Sequence, residues 1–385
     1  MVNKKKRILL SSPHMSGNEQ NYINNAFEEN WIAPLGPNVD QFETDIAAYA
    51  GVKGASVTSS GTGAIHLALD ILRVRRGDSV FCSTFTFIAS ANPVLYLGAD
   101  LTFIDSEVET WNMSPVALER ALANAKKENK LPKAIIVVNL YGQSAQMDEL
   151  LEISNSYNVP IIEDAAESLG SEYKGKKSGT LGKIGIYSFN GNKIITTSGG
   201  GVLISDDEEI IAKSRFLATQ ARDEAPHYQH SVVGYNYRMS NILAGVGIAQ
   251  LQVLDERVKR RREIFDTYYQ ELSTIEGLNF MPELSGTKSN RWLTTLTINQ
   301  EIIKLNPYEI MDKMNTVDIE TRALWKPLHM QPLFKENKFY KDKENEDAVA
   351  SRLFFNGLCL PSGSNMSESN QARVIQNFKK IVQGK

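Results

Sequence analysis

The chain has 385 residues, 42% of them hydrophobic and 23% charged, with a formal net charge of −3. This composition is typical of a globular protein of two or three domains, and the near-balanced charge gives no reason to expect nucleic acid or acidic membrane as a partner. Cys82 and Cys359 do not make a disulfide framework, and no apolar run approaches the ~20 residues of a membrane helix, so we expect a cytoplasmic protein without membrane insertion.

Short apolar runs alternate with helical patterns between residues 54 and 205. The predicted strands are 55–57, 79–82, 101–104, 134–138, 160–163, 184–189 and 201–204. The predicted helices among them are 62–72, 89–97, 115–125 and 147–155. This alternation predicts an α/β fold with a mostly parallel sheet flanked by helices.

The pattern changes in the last third of the chain. A long helical stretch is predicted over 241–272, and its basic cluster 259–262 is interpreted as a solvated helix face. A strand over 291–298 and helices over 308–315 and 348–356 follow. We therefore predict a large domain at 12–255 and a smaller C-terminal α+β domain at 256–385.

Small polar residues open the helix predicted at 62–72. Ser60, Thr62 and Gly63 lie where backbone N–H groups at a helix N-terminus favour an anion, and small side chains let a phosphate approach closely. The alternative is a plain helix cap formed by Ser60 or Thr62. The residues alone leave both interpretations open.

Acidic residues follow the strand predicted at 160–163. Asp164 comes at its carboxyl end, where ligands of open α/β sheets bind, and Glu167 follows three residues later. A carboxylate here could keep the ring nitrogen of pyridoxal phosphate (PLP) protonated. The alternative is that Asp164 and Glu167 form a helix cap and capping box.

Lys193 lies 29 residues after Asp164, among small polar residues and glycines. Ser188 ends the preceding strand and can donate to a phosphate, and the glycines at 199–201 permit tight turns near a ligand. A lysine that forms a Schiff base with PLP, paired with a carboxylate for the ring nitrogen, is the pattern expected of a PLP enzyme. The alternative for Lys193 is an ordinary surface charge.

Other candidates carry weaker signals. Phe87 could stack on a cofactor ring, although core packing is the alternative. The five histidines show no convincing metal-ligand spacing, so we expect no metal site.

Taken together, these segments resemble the DegT/DnrJ-type PLP-dependent nucleotide-sugar aminotransferases. The resemblance covers about residues 11–361 and rests on four ordered motifs: Ser60-Gly61-Thr62, Glu163-Asp164-Ala165-Ala166, Ser188-Phe189 with Lys193, and Asn236-Tyr237-Arg238-Met239. It implies the type I PLP-dependent transferase fold, also called aspartate-aminotransferase-like. PLP is the implied cofactor.

The resemblance also implies individual roles. Lys193 would be the catalytic lysine. Asp164 would pair with the ring nitrogen of the cofactor, Glu167 would lie near the ring hydroxyl, and Phe87 would lie against the ring face. Thr62, Gly63 and Ser188 would bind the phosphate. Asn236 would reach the phosphate of the cofactor in a neighbouring subunit. A homodimer with shared active sites follows. For the substrate diphosphate, which needs cationic or N–H partners, Arg238 and His329 are candidates; the alternatives are a structural ion pair and a hydrogen-bonded loop residue.

The glycine-rich segment around Lys193 looks most similar to enzymes that aminate UDP-4-keto-6-deoxy-GlcNAc with glutamate on the way to bacillosamine. Enzymes of the perosamine type, which act on GDP-4-keto-6-deoxymannose, usually have Gly-Glu-Gly-Gly where this chain has Ser198-Gly199-Gly200-Gly201. The alternatives are such a GDP-sugar enzyme, a sugar C3 aminotransferase and, more remotely, a non-catalytic scaffold. A dehydratase of the same fold would have histidine in place of Lys193.

Overall fold

Most of the first two thirds of the chain is organised around an eight-stranded sheet, as seen in a computed structural model that describes residues 6–384. Its strands, in chain order, are β1 (Gly54–Thr58), β2 (Ser79–Ser83), β3 (Asp100–Ile104), β4 (Ala134–Val138), β5 (Ile161–Asp164), β8 (Ile184–Ser188), β9 (Gly201–Ser205) and β14 (Lys338–Tyr340). The order across the sheet is β1-β9-β8-β5-β4-β2-β3-β14. Neighbours from β8 to β14 are parallel, and β9 is antiparallel to both β8 and β1.

Two smaller sheets complete the strand set. Their strands are β6 (Glu172–Tyr173), β7 (Lys176–Lys177), β10 (Leu278–Phe280), β11 (Thr287–Lys288), β12 (Thr294–Ile298), β13 (Arg322–Ala323) and β15 (Gly357–Leu360). One sheet is antiparallel, with the order β10-β12-β15-β13, and the other has the order β11-β6-β7. The C-terminal part also reaches back to the large sheet, because β14 pairs with β3.

The helices cover the faces of these sheets. They are α1 (Glu19–Glu28), α2 (Pro37–Ala50), α3 (Gly61–Ile71), α4 (Asn92–Tyr96), α5 (Pro115–Lys127), α6 (Met147–Ser156), α7 (Glu208–Ala218), α8 (Asn241–Leu251), α9 (Leu254–Leu272), α10 (Gln300–Ile303), α11 (Pro307–Thr316), α12 (Val349–Asn356) and α13 (Glu368–Gln383). The parallel strands are buried on both faces, as in β4, where every residue is buried. This burial matches the continuous apolar runs in their sequences.

Hydrophobic packing distinguishes the C-terminal part from the rest. One core cluster joins α9, α11 and α13 to the strands β10, β12 and β15. Two further clusters fill the two sides of the large sheet. The separate C-terminal core is consistent with a smaller domain there, and the boundary at 255/256 stays a prediction.

Three predictions for the last third of the chain were wrong in detail. The stretch 241–272 is two helices, because the backbone at Val253 (φ −110°, ψ 7°) leaves the helical region. The strand predicted from 291 begins at Thr294, because Arg291 has a positive φ of 48°. The basic cluster 259–262 is not a wholly solvated face, because Arg261 is only 1% exposed.

Candidate active site

Asp164 lies at the carboxyl end of β5 and forms the floor of the site. Asp164 is 5% exposed, and its carboxylate accepts hydrogen bonds from the Ser90 hydroxyl (2.7 Å) and the Ala166 N–H (3.1 Å). Burial raises the pKa of this carboxyl, and those hydrogen bonds and the charge of Lys193 offset the rise only in part. The floor therefore favours a cationic partner for Asp164.

Lys193 lies in the loop between β8 and β9. Its N–H donates to the Asn190 carbonyl at 3.0 Å, which closes a tight turn. The side chain is 13% exposed, and Nζ lies 3.7 Å from Glu167 Oε1 and 4.3 Å from the centre of the Trp292 ring. The amine is thus held between a carboxylate and the face of an indole, which is a cation–π arrangement.

Glu167 is the second buried acid of the site. Its other oxygen, Oε2, accepts the Tyr141 N–H at 2.7 Å. Burial raises the pKa of Glu167, whereas the charge of Lys193 and the hydrogen bond from Tyr141 lower it. Two buried carboxyls thus share one ammonium group, so the site has room for a further positive charge.

The N-terminus of α3 forms a second side of the site. The Ser60 hydroxyl accepts the Gly63 N–H at 3.0 Å, so the helix cap considered from the sequence is present. Thr62 still faces the cavity, and the first-turn N–H groups ahead of Gly63 are the ones that a helix leaves free for an anion. A Cβ added to Gly61 would lie 3.2 Å from the Ser188 Cβ, so a larger residue would require these two closely packed segments to shift slightly.

These groups surround one cavity of about 460 Å³ at the carboxyl ends of the parallel strands. The predicted site residues that line it are Thr62, Phe87, Asp164, Glu167, Ser188 and Lys193. The amine, the buried carboxyls and the hydroxyls at a helix N-terminus are the donor set that PLP needs for its aldehyde, its ring nitrogen and its phosphate. The residues present therefore fit the cofactor.

The opposite wall comes from the C-terminal part of the chain and was not predicted. Trp292, Arg322 and Trp325 line the cavity, and the Phe87 and Trp325 rings lie 5.2 Å apart. Trp292 lay in a stretch predicted to be a strand, where an aromatic residue normally signals core packing. Arg322 and Trp325 follow no glycine-rich turn or acidic strand end, so no local signal marked them.

Four predicted residues are not brought into this cavity. Gly63 lies one position behind Thr62 with its N–H already used by Ser60. Asn236 is exposed elsewhere on the protomer and accepts a hydrogen bond from Gln220 at 3.0 Å.

The two predicted substrate contacts, Arg238 and His329, are also placed elsewhere. Arg238 is buried in an ion pair with Glu43 and donates to the Val57 carbonyl at 3.2 Å. The two ring nitrogens of His329 contact the hydroxyls of Thr84 (2.7 Å) and Ser351 (3.1 Å). In this protomer both side chains are engaged in structural interactions, and their role as substrate contacts stays a prediction.

Residues 6–384 contain neither a cluster of metal ligands nor a membrane-spanning helix. No group of three or more His, Cys, Asp or Glu side chains in that range is arranged to hold a metal ion. None of the helices described there is long and apolar enough to cross a membrane.

Comparison with known proteins identifies the chain by similarity. The DegT/DnrJ/EryC1/StrS aminotransferase family model matches residues 13–379. EpsN of Bacillus subtilis (strain 168), named as a pyridoxal phosphate-dependent aminotransferase, is 61% identical over 96% of this chain and 95% of its own length. The GDP-perosamine synthase of Caulobacter vibrioides is 35% identical over 98% of each chain.

A relative with a UDP-sugar name and a solved structure extend these matches. The UDP-4-amino-4,6-dideoxy-N-acetyl-beta-L-altrosamine transaminase of Campylobacter jejuni is 34% identical over 80% of this chain and 79% of its own. The crystal structure of a DegT/DnrJ/EryC1/StrS aminotransferase from Brucella abortus superposes with a TM-score of 0.87 at 27% identity, covering 94% of this chain and 95% of that one. The predicted fold class is confirmed, and the chain belongs to the DegT/DnrJ/EryC1/StrS family of PLP-dependent sugar aminotransferases.

Proposed function

We propose that the enzyme transfers the amino group of glutamate to C4 of a nucleotide-linked 4-keto-6-deoxy sugar, with UDP-4-keto-6-deoxy-GlcNAc as the preferred substrate. The observation that carries the proposal is the position of the Lys193 amine, which reaches the cavity between Glu167 and the Trp292 ring. The products are a UDP-4-amino-4,6-dideoxy sugar and 2-oxoglutarate.

The cofactor, when bound, would supply an electron-withdrawing ring that stabilises negative charge on the glutamate carbon that loses a proton and on the sugar carbon that gains one. Asp164 supports this chemistry because a buried carboxylate keeps the ring nitrogen protonated, and the cation in turn offsets the cost of burying Asp164. Ser90 and the Ala166 N–H fix the carboxylate in place. Glu167 is held by the Tyr141 N–H and lies 3.7 Å from Lys193 Nζ, and we assign it to the ring hydroxyl.

Lys193 is assigned the proton transfers. Its amine would take the α-proton of glutamate in the first half-reaction and would deliver a proton to the sugar carbon in the second. Burial of the side chain against Trp292 limits exchange of that proton with water. Thr62, Ser188 and the N-terminus of α3 are assigned to the phosphate.

Arg322 is our candidate for the anionic parts of the substrates. Among the residues that line the cavity, it and Lys193 are the two cations. Its side chain is 49% exposed and its guanidinium contacts Glu320 at 2.8 Å, a surface pair that contributes little and can be exchanged for a phosphate.

The choice of sugar rests on the segment after Lys193. Gly199 and Gly200 line the cavity, and a Cβ at Gly199 would meet no atom closer than 4.0 Å. The perosamine-type sequence would place a glutamate side chain in this open space, whereas this chain leaves it free for substrate. The Campylobacter relative is named for a UDP-linked 4-amino-4,6-dideoxy sugar, and the Caulobacter relative supports a GDP-sugar enzyme as the second candidate.

A substrate screen tests the proposal. Purified enzyme with glutamate is offered UDP-, GDP- and dTDP-linked 4-keto-6-deoxy sugars, and the product is examined by NMR. We expect the highest kcat/KM with the UDP sugar and an amino group at C4. Preference for the GDP sugar would support the second candidate, an amino group at C3 would contradict the C4 assignment, and no turnover with any sugar would overturn the function.

We also propose that the active unit is a cytoplasmic homodimer in which Asn236 reaches the phosphate in the partner's site. Asn236 is exposed, and Phe87 at the cavity mouth is 50% exposed, which leaves an apolar surface for a second copy. Both cysteines are buried and free, as a reducing compartment allows.

Mixing inactive Lys193→Ala and Asn236→Ala proteins tests the shared site. Mixed dimers should restore up to about a quarter of wild-type activity, because half of the dimers would be mixed and each of these would have one intact site of two. No restoration would contradict a shared site.

A further inference from the structure

Arg261 is a buried cation without a carboxylate partner. It lies on α9 and is 1% exposed. Within residues 6–384, burial is the sole cause of the shift in its pKa, and no carboxylate contributes to that shift. Burial lowers its pKa to about 9, and its Nε–H has no hydrogen-bond acceptor in the described part of the chain. Burying a guanidinium without a carboxylate partner costs free energy, because the charge loses its hydration and gains no opposite charge.

The Arg261 guanidinium donates hydrogen bonds to two residues, Trp292 and Ser11, and both of these residues donate to the Asn192 carbonyl oxygen. One Nη donates to the Trp292 carbonyl, and the other donates to the Ser11 hydroxyl at 3.0 Å. The Ser11 hydroxyl donates onward to the Asn192 carbonyl at 3.0 Å, and the Trp292 indole N–H donates to that carbonyl at 2.8 Å. Arg261 therefore fixes both donors that converge on the Asn192 carbonyl.

The Asn192 carbonyl belongs to the peptide bond that precedes Lys193. Holding that carbonyl from two sides fixes the backbone from which the Lys193 side chain departs. The ring of Trp292, fixed by the same network, lies 4.3 Å from Lys193 Nζ. The start of the side chain and the surface under its amine are thus set by one buried guanidinium.

We propose that Arg261 is a positioning residue for Lys193, acting through Ser11, Trp292 and the Asn192 carbonyl. The proposal rests on the role given to Lys193 in the proposed function. It explains why a charge is kept in a core position, and it predicts that removal of the charge impairs proton transfer without weakening substrate binding. A displacement of about 1 Å at a reacting group can lower the rate on the order of 10²-fold.

The test uses holoenzyme carrying Arg261→Met. We expect kcat to fall by about 10- to 100-fold, with KM for glutamate and for the sugar changed by less than about threefold. The circular dichroism of the lysine-bound cofactor should change, because the peptide carbonyl before Lys193 and the Trp292 ring lose a common support. Arg261→Lys should recover part of kcat, because an ammonium group can still donate to one or both acceptors.

The matched control is Arg260→Met, one residue away on the same helix. Arg260 contacts Glu263 (3.2 Å) and the Met366 carbonyl (3.1 Å), outside the network, so this variant should keep wild-type kcat and dichroism. A Ser11→Ala change should lower kcat a few-fold alone and add little to Arg261→Met, because both act through one carbonyl.

Three outcomes overturn the proposal: a folded Arg261→Met enzyme with kcat within twofold of wild type, a loss of kcat that only tracks lost cofactor content, or additive effects of Arg261→Met and Ser11→Ala. If Arg261→Met does not fold, the Ser11→Ala/Trp292→Phe double variant decides, and unchanged kcat overturns the proposal. Lys193→Ala separates the two hypotheses, because a lysine-bound cofactor signal in that variant would contradict the proposed function itself.

Discussion

The floor and the wall of the cavity differ in how deeply their charged residues are buried and in how firmly those residues are held. The floor residue Asp164 is buried and held by two hydrogen bonds, from the Ser90 hydroxyl between β2 and α4 and from the Ala166 N–H just after β5. The wall residue Arg322 is half exposed and carries one surface ion pair. A fixed, desolvated group is suited to stabilising charge that develops during reaction, whereas an exposed, adaptable cation is suited to binding. Changes in the floor should therefore lower kcat, and changes in the wall should raise KM.

The largest effect is expected for Lys193→Ala. Loss of the amine removes both the covalent attachment of the cofactor and the base that moves the proton, so kcat should fall by about 10⁴-fold or more. Steady-state turnover with glutamate and the preferred sugar measures this. Lys183→Ala, which alters an exposed lysine just before β8, is the control and should keep full activity. Turnover within tenfold of wild type in Lys193→Ala would remove Lys193 from the mechanism.

Asp164→Asn should have the next largest effect. The amide keeps the shape and can still contact Ser90, but it cannot hold the ring nitrogen protonated, so kcat should fall by about 10²- to 10³-fold while KM changes little. Asp148→Asn, at an exposed carboxylate paired with Lys174, is the matched control. A loss confined to KM would place Asp164 among the binding groups and would break the distinction between floor and wall.

The floor was more accessible from the sequence than the wall because its signals are local. Asp164 ends an apolar strand, and Lys193 lies among glycines, so each is marked by the residues beside it. The helix predicted at 62–72 is observed at Gly61–Ile71 for the same reason, since its polar opening and apolar body are adjacent in the chain. The α/β class followed from the strand–helix alternation, which also depends on short-range pattern, whereas the type I transferase fold followed from the family resemblance.

The wall depends on contacts between segments that are distant in the chain. Arg261 lay in a run of basic residues, where a solvated face is the ordinary expectation, yet it donates to Ser11, 250 residues away. Trp292 is about 100 residues from the Asn192 carbonyl that accepts its indole N–H. A single sequence holds no local feature that distinguishes such an arginine from its solvated neighbours.

Arg322→Gln tests the wall directly. Removing the cation should raise KM for the nucleotide sugar by about 10- to 100-fold, because a charge-assisted contact to phosphate is lost, and should leave kcat within about threefold. Arg352→Gln is the control, since Arg352 is a similarly exposed arginine paired with Glu346. An unchanged KM together with a reduced kcat would show that Arg322 acts on the chemistry and not on binding.

His329→Gln should have the smallest effect on turnover, because His329 joins parts of the structure behind the wall and does not line the cavity. Its ring stacks on Phe339 at 3.7 Å and contacts the hydroxyls of Thr84 and Ser351. Loss of these contacts should lower the free energy of unfolding at pH 7 by about 1–3 kcal/mol, with kcat within twofold.

The pH dependence separates this structural role from substrate binding. Burial lowers the pKa of His329 from 6.5 to about 4, so the folded state holds the neutral ring that the unfolded state protonates. The stability contributed by the neutral ring is complete above pH 6.5 and is lost as the pH falls toward 4. The stability gap between wild type and His329→Gln should therefore narrow by about 2 kcal/mol between pH 7 and 4.5, as measured by urea unfolding across that range. A difference in unfolding free energy between wild type and His329→Gln that stays constant or widens on acidification would mean that the ring is already charged in the folded protein. That result would contradict the assignment of His329 as a neutral ring with hydrogen bonds to Thr84 and Ser351.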